Sequence, residues 1–209
     1  MVPQVTGRLD LAEKREELRL RIRTAAIAEF AENGWRGAST QAIAERAGIS
    51  KTKLHYYIES KDTLYREALE HILSIWSDLF HGLPSDEGPD AFLRGYIARK
   101  VRFSVENPDV VRMFSGEVMR GAPLLRSYWE SSHQSVDRAA ALIRGWIDQG
   151  LLRPVDPVLL QFHIWALTQH YALHGAEVRY MMDLPDGSPL DAEVIAAEVA
   201  ELVMRGLRP

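Results

Sequence analysis

The sequence predicts an all-α fold, with a small helix-turn-helix unit at the N-terminal end and a larger helical unit after it. Apolar residues recur at helical spacing through most of the chain, and no sustained alternating run bounded by turn residues is present. Capping residues, glycines and prolines then punctuate that pattern at helix-sized intervals. The bulk composition agrees: 209 residues, 46% hydrophobic and 26% charged, are the proportions of an ordinary globular protein and exclude disorder and collagen.

The first helix is expected to begin near Asp10, where Asp10 and Glu13 have capping-box spacing. It carries Leu18, Ile22, Ala26 and Phe30 on one face and stops at Gly34. Residues 1–9 read as an unassigned tail. Ser39 or Thr40 caps a short helix to about Ala47, Gly48 and Ile49 make a turn, and Ser50 caps a second short helix to about Tyr57. Ser60 caps a longer helix bearing Leu64, Ala68, Ile72, Trp76 and Leu79 until Gly82, and His81 to Asp90 form a loop. Asn107-Pro108 and Asp156-Pro157 each set a capping residue before a proline suited to the first helical position, and Gly150 marks a helix end. Helices are therefore expected at 90–105, 108–120, 123–149, 157–181 and 191–206, with Leu184 to Pro189 as a loop.

Composition also bounds function. With no cysteine, a disulfide framework, a cysteine-ligated zinc site and a thiol nucleophile are excluded. Apolar stretches such as Ala139 to Ile143 fall far short of the roughly 18 residues of a membrane span, and the N-terminus lacks an apolar signal core, so a cytoplasmic protein is expected. The formal charge is −4, but residues 1–60 carry 10 basic and 8 acidic side chains, a net +2, and the remainder carry 15 and 21, a net −6. A polyanion would meet the N-terminal part.

The two short helices have a small inner core of Ile43, Ala44, Ala47, Ile49 and Leu54. That leaves Lys51, Thr52, Lys53, His55 and Tyr56 outside on the second helix, a set of donors and cations with no acid among them, suited to phosphates and base edges. From spacing alone, a solvated helical hairpin with incidental lysines is an equal reading.

At this point the sequence resembles the TetR family of transcriptional repressors, through Ala25, Ala26, Phe30, Gly34, Thr40, Ile43, Ala44, Ala47 to Lys51, Leu54, Tyr56, Tyr57, Ser60 and Lys61. Ile58 stands where the family usually has Phe, and His55 where Tyr or Leu is common. The resemblance implies a helix-turn-helix DNA-binding domain over residues 10–62, a helical ligand-binding and dimerisation domain over 63–209, and a homodimer on a palindromic double-stranded DNA operator with half-sites ~34 Å apart. It assigns Thr40, Tyr56 and Lys61 to the phosphate backbone and Lys51, Thr52 and His55 to base edges, with Tyr57 either packing or touching phosphate. The last two helices, about 157–181 and 191–206, are the implied dimer bundle.

The rest of the chain resembles one branch of that family, the pyrimidine-utilisation regulators, at Asn107-Pro108, Arg112 to Phe114, Gly121 to Leu125, Ile143 to Trp146, Asp156-Pro157 and Ile164 to Tyr171. A small planar heterocycle such as uracil or thymine is the implied effector. Such a ligand needs an aromatic wall and side chains that donate and accept, which Trp76, Trp165, Thr168 and Gln169 supply, the last three within one turn of each other. The bland alternative is that both tryptophans are core residues and the two polar side chains satisfy backbone groups. His170, His174 and Glu177 share a helical face, but a pocket or dimer-face role outweighs a metal site. No metal, cofactor or membrane association is expected. An enzyme acting on a small heterocycle finds no Walker loop, dinucleotide motif or nucleophile elbow to support it.

Overall fold

The computed structural model describes residues 5–80 and 87–209, with side chains described for 12–76, 87–126 and 128–209. Among the described residues it holds ten α-helices and no strand. They are α1 (Val5–Gly37), α2 (Thr40–Arg46), α3 (Lys51–Tyr57), α4 (Lys61–Phe80), α5 (Pro89–Glu106), α6 (Pro108–Met119), α7 (Trp129–Asp148), α8 (Pro157–Leu173), α9 (Gly175–Met181) and α10 (Ala192–Leu207). The expected helix end at Gly82 and most of the loop after it lie outside the described residues.

Local rules explain most boundaries. Ser39 caps α2 by accepting from the Ala42 N–H, Ser50 caps α3 through the Lys53 N–H, and Ser60 accepts from the Thr63 N–H at the start of α4. Asp156 and Asp191 each accept two backbone N–H groups at the starts of α8 and α10. Gly34 interrupts α1 at φ 63° and ψ 175°, a conformation that glycine alone adopts without strain, so the chain bends there and makes one further turn to Gly37. Gly48, at φ 66°, turns the chain between α2 and α3, and a Cβ there would stand 3.0 Å from the Arg21 guanidinium.

Four expectations are corrected. Helix α1 starts at Val5, so Asp10 lies inside it and does not cap it; no proline intervenes to stop the helix between them. Asn107 does not cap α6, because its Nδ2 donates back to the Phe103 carbonyl at 3.1 Å and closes α5 instead. Helix α7 begins at Trp129, not near 123, since Gly121 and Ala122 both have positive φ and a 3-10 turn, Arg126–Tyr128, follows. The expected helix 157–181 is broken at His174. Arg112 Nε donates to the Ala172 carbonyl at 3.2 Å, occupying an acceptor of the last turn of α8.

The buried residues form two cores. The first joins Ile22, Ala26 and Phe30 of α1 to Ile43 and Ala44 of α2, Leu54 of α3 and Leu64, Tyr65 and Ile72 of α4, and it takes in Met113 of α6. The second lies among α5, α7, α8 and α10, around Ile97, Trp146, Ile164 and Val199. Leu54 is fully buried, so the first core holds α3 in place, and its removal to alanine would cost about 2–5 kcal/mol. Helix α4 packs along the first core from Leu64 to Trp76, and Trp76 also meets Lys100 of α5.

Candidate DNA interface and effector site

The expected contact residues of α3 stand in the open. Lys51, Thr52, Lys53 and His55 are exposed and Tyr56 is 79% exposed, while Tyr57 is half-buried with its ring edge-on to Tyr56 at 5.5 Å. Among the described residues none holds these side-chain donors, which leaves them for an external acceptor. Beside them lies an open cleft of about 650 Å³, lined by Lys14, Arg15, Glu16 and Arg19 of α1 together with Lys53, Tyr56 and Tyr57. The three α1 cations were missed by the sequence reasoning. They sit on a helix with mixed charges, and only the fold places them next to α3.

Thr40, the first residue of α2, is half-buried. Lys61 differs from the phosphate-facing expectation, since its ammonium donates to the Trp35 and Ala38 carbonyls at 2.8 and 3.0 Å and lies 4.9 Å over the Trp35 ring. It clips the α1–α2 connection to α4. Arg21 donates to the Ala47 carbonyl, and Arg46 pairs with the buried Glu29 at 3.0 Å, so charged side chains brace α2 against α1.

The expected effector residues divide. Trp76 of α4 and Trp165 of α8 come together around Lys100 of α5, whose Nζ lies 5.2 Å from the Trp76 ring centre and 5.9 Å from those of Tyr96 and Trp165. Trp165 Nε1 donates to the Tyr96 hydroxyl at 3.0 Å, and Trp76 packs on Phe114 of α6 at 4.1 Å. Lys100 is 6% exposed, and burial pushes its pKa down to about 8; burial likewise pushes the Tyr96 hydroxyl up to about 12. Thr168 is fully buried and donates to the Ile164 and Trp165 carbonyls at 2.8 and 3.2 Å, so its hydroxyl is satisfied within its own helix. Gln169 is half-buried at the next position.

Lys100 and Tyr96 escaped the sequence reading. A pattern was available: Leu93, Tyr96, Ile97, Lys100, Val101 and Ser104 form one buried helical stripe, with the lysine in its middle.

The histidine set does not assemble. His170 and His174 stack at 4.6 Å and His174 Nδ1 lies 3.3 Å from Glu177, but the break after Leu173 puts Glu177 on α9. Among the described residues no group of three or more metal-binding side chains is placed to hold an ion. None of the described helices is long and apolar enough to cross a membrane.

Comparison with known proteins fixes the family. The sequence profile of bacterial regulatory proteins of the tetR family matches residues 22–68, and that of the YcdC-like protein C-terminal region matches residues 69–209. The chain belongs to the TetR family. It is 39% identical to the HTH-type transcriptional regulator RutR of Escherichia coli O157:H7 over 193 residues, 90% of this chain and 89% of that protein. Among solved structures, the ketosteroid transcriptional regulator KstR2 of Mycobacterium tuberculosis aligns with a TM-score of 0.70 at 21% identity, covering 91% of this chain and 95% of that one. AibR, solved in complex with isovaleryl coenzyme A and operator DNA, aligns at 0.65 with 18% identity, covering 88% and 96%. These TetR relatives are transcriptional regulators, not enzymes.

Proposed function

We propose that this TetR-family regulator is an effector-responsive repressor that binds a palindromic operator as a homodimer and responds to a small planar heterocycle of the uracil and thymine class. The observation that carries the effector reading is the convergence of Trp76, Tyr96 and Trp165 around Lys100, in a chain 39% identical to RutR. Flat aromatic walls with a polar group between them suit a planar, carbonyl-bearing ring. Gln169, half-buried beside Thr168, is the adaptable donor and acceptor; Thr168 holds the backbone beneath it.

On the DNA side, Lys51, Thr52 and His55 are the base-reading residues, Tyr56 and Thr40 hold phosphate, and Tyr57 and Lys61 position the unit. Residues 10–62 form the DNA-binding domain and 63–209 the effector and dimer domain. Dimerisation is assigned to α8 and α10, which leave Leu159, Phe162, Val194 and Leu202 between 47% and 63% exposed. These are apolar positions that the single chain does not cover.

The decisive experiment is the melting temperature of the purified protein with and without uracil and thymine, followed by the same ligands in an operator-binding assay. At about 100 times its dissociation constant an effector adds ~2.7 kcal/mol of stability. A shift that Gln169→Ala removes, together with release of operator DNA, supports the reading. No shift with any pyrimidine would leave a TetR regulator of a different effector, a reading that the KstR2 and AibR relatives keep in play because the same fold serves a ketosteroid regulator and a coenzyme A ester.

A further inference from the structure

Three acidic or basic side chains are buried among the described residues, and two of them are answered. Glu29 meets Arg46, and Glu117 accepts from Tyr65, Arg120 and the Leu124 N–H. Lys100 is the third. Among the described residues no carboxylate lies within ion-pair distance of its Nζ, and no carbonyl or hydroxyl accepts a hydrogen bond from it. Its stem does not carry the ammonium out to water, as an exposed lysine's does, because the head lies among three rings on α4, α5 and α8.

Ring faces attract a cation, but they accept none of its three N–H groups in the way an oxygen does and supply no countercharge. A buried charge without a counterion is a cost to the fold, and at a purely packing position on the stripe of α5 a methionine would fill the same length without it. A flat ring stacked on Trp76 or Trp165 would bring a rim oxygen to Nζ, which lies 5.2 and 5.9 Å from those two ring centres.

Resting on the effector site proposed above, we infer that Lys100 is its charge anchor and that the effector presents an anionic oxygen there. The oxygen belongs to an acidic heterocycle bound as its conjugate base, or to a carboxylate on the ring. Charge-assisted hydrogen bonds of this kind are stronger than neutral ones, and strongest where water is excluded. The aromatic walls select a flat ring, and the lysine selects its charge.

The test is calorimetric titration of the full-length protein with uracil, 5-fluorouracil and 5-nitrouracil, which share the ring and its two carbonyls while their N–H acidity rises, and with orotate and nicotinate, which carry a ring carboxylate. Wild type, Lys100→Met and Lys100→Gln are compared, the glutamine variant serving if the methionine variant fails to fold. Wild type is expected to bind the charged ligands about tenfold or more tightly than uracil, and both variants to lose that preference. A gradient along the acidity series identifies the ring oxygen; a preference confined to orotate and nicotinate identifies the carboxylate. If every pyrimidine fails while nicotinate binds wild type and not the variants, the pyrimidine reading falls and the charge anchor stands. Uracil bound as tightly as its charged analogues, an unchanged preference in the variants, or binding of none of the five overturns the inference.

Discussion

Replacing Lys100 by methionine should make the ligand-free protein more stable, and by an amount that depends on pH. Burial holds the lysine pKa at about 8, below its ordinary value of 10.5. In that case the folded state binds its proton less tightly than the unfolded chain does. Below pH 8 both states are protonated and the whole burial cost is present; between pH 8 and 10.5 the folded state releases the proton first, and the cost fades as pH rises. At ~1.4 kcal/mol per pKa unit the cost near pH 7 is about 3 kcal/mol per chain, and at pH 9.5 it is about 2 kcal/mol smaller. Tyr96, pushed up to about 12, stays neutral throughout this window and does not blur it. Urea unfolding followed by circular dichroism, at fixed protein concentration and at pH 7 and 9.5, reads the difference. Lys100→Met should exceed wild type by ~2–3 kcal/mol at pH 7, with the gap closing at pH 9.5. A variant less stable than wild type at pH 7, or a gap that does not change with pH, would show that the ammonium is not an uncompensated buried charge.

Other sites give independent outcomes. Lys51→Ala should weaken operator binding by ~1–3 kcal/mol and relax sequence preference at one position, measured by fluorescence anisotropy on operator variants. Tyr56→Phe should instead weaken all sequences alike. Glu117→Ala removes the partner of Tyr65, Arg120 and the Leu124 N–H, and should cost ~3 kcal/mol in denaturant titration, near the low end for a broken buried pair because Arg120 reaches solvent. Phe162→Glu combined with Leu202→Glu should give a monomer in analytical ultracentrifugation, since both side chains are exposed on α8 and α10.

How far the sequence could be read depended on the range of the interaction. Ser39, Ser50, Ser60, Asp156 and Asp191 act within three residues, so their helix starts could be predicted from the side chain and its neighbours. Asn107 obeys the same local rule and still does not cap α6, because the Phe103 carbonyl one turn back is a competing acceptor. At the break at His174, Gly175 is the one local signal, and the Arg112 bond to the Ala172 carbonyl comes from far away in sequence, where no local pattern shows it. At the proposed effector site, Trp76 and Trp165 could be singled out in the sequence but not their meeting around Lys100, and Thr168 looked free to bind ligand until its bonds to Ile164 and Trp165 were in view. Lys100 was the least legible. A lysine on an apolar stripe usually snorkels to water, and only the packing of α4 and α8 against α5 closes that route.

The same packing offers a route from the proposed effector site to the helix-turn-helix. Trp76 and Tyr65 lie on one helix, eleven residues and so about 16 Å apart at 1.5 Å per residue. At both levels α4 is tied to α6: Trp76 packs on Phe114, and Tyr65 donates to Glu117 at 3.1 Å while Arg120 bridges the two. Helices α4 and α6 should therefore move as a unit. Near the far end of that unit lie the Gly34 bend in α1, 4.0 Å from Arg120 at its ideal Cβ position, and Lys61, which holds the carbonyls leading into α2. An effector that binds Trp76 differently in two positions of α4 would shift the helix-turn-helix with it, and one indifferent to α4 would leave the operator equilibrium unchanged. Tyr65→Phe removes the hydroxyl link and keeps the ring packed edge-on to Phe30 at 4.7 Å. It should leave effector affinity close to wild type and reduce the effector-induced change in operator affinity. If the two affinities stay coupled as in wild type, the connection runs through another part of α4.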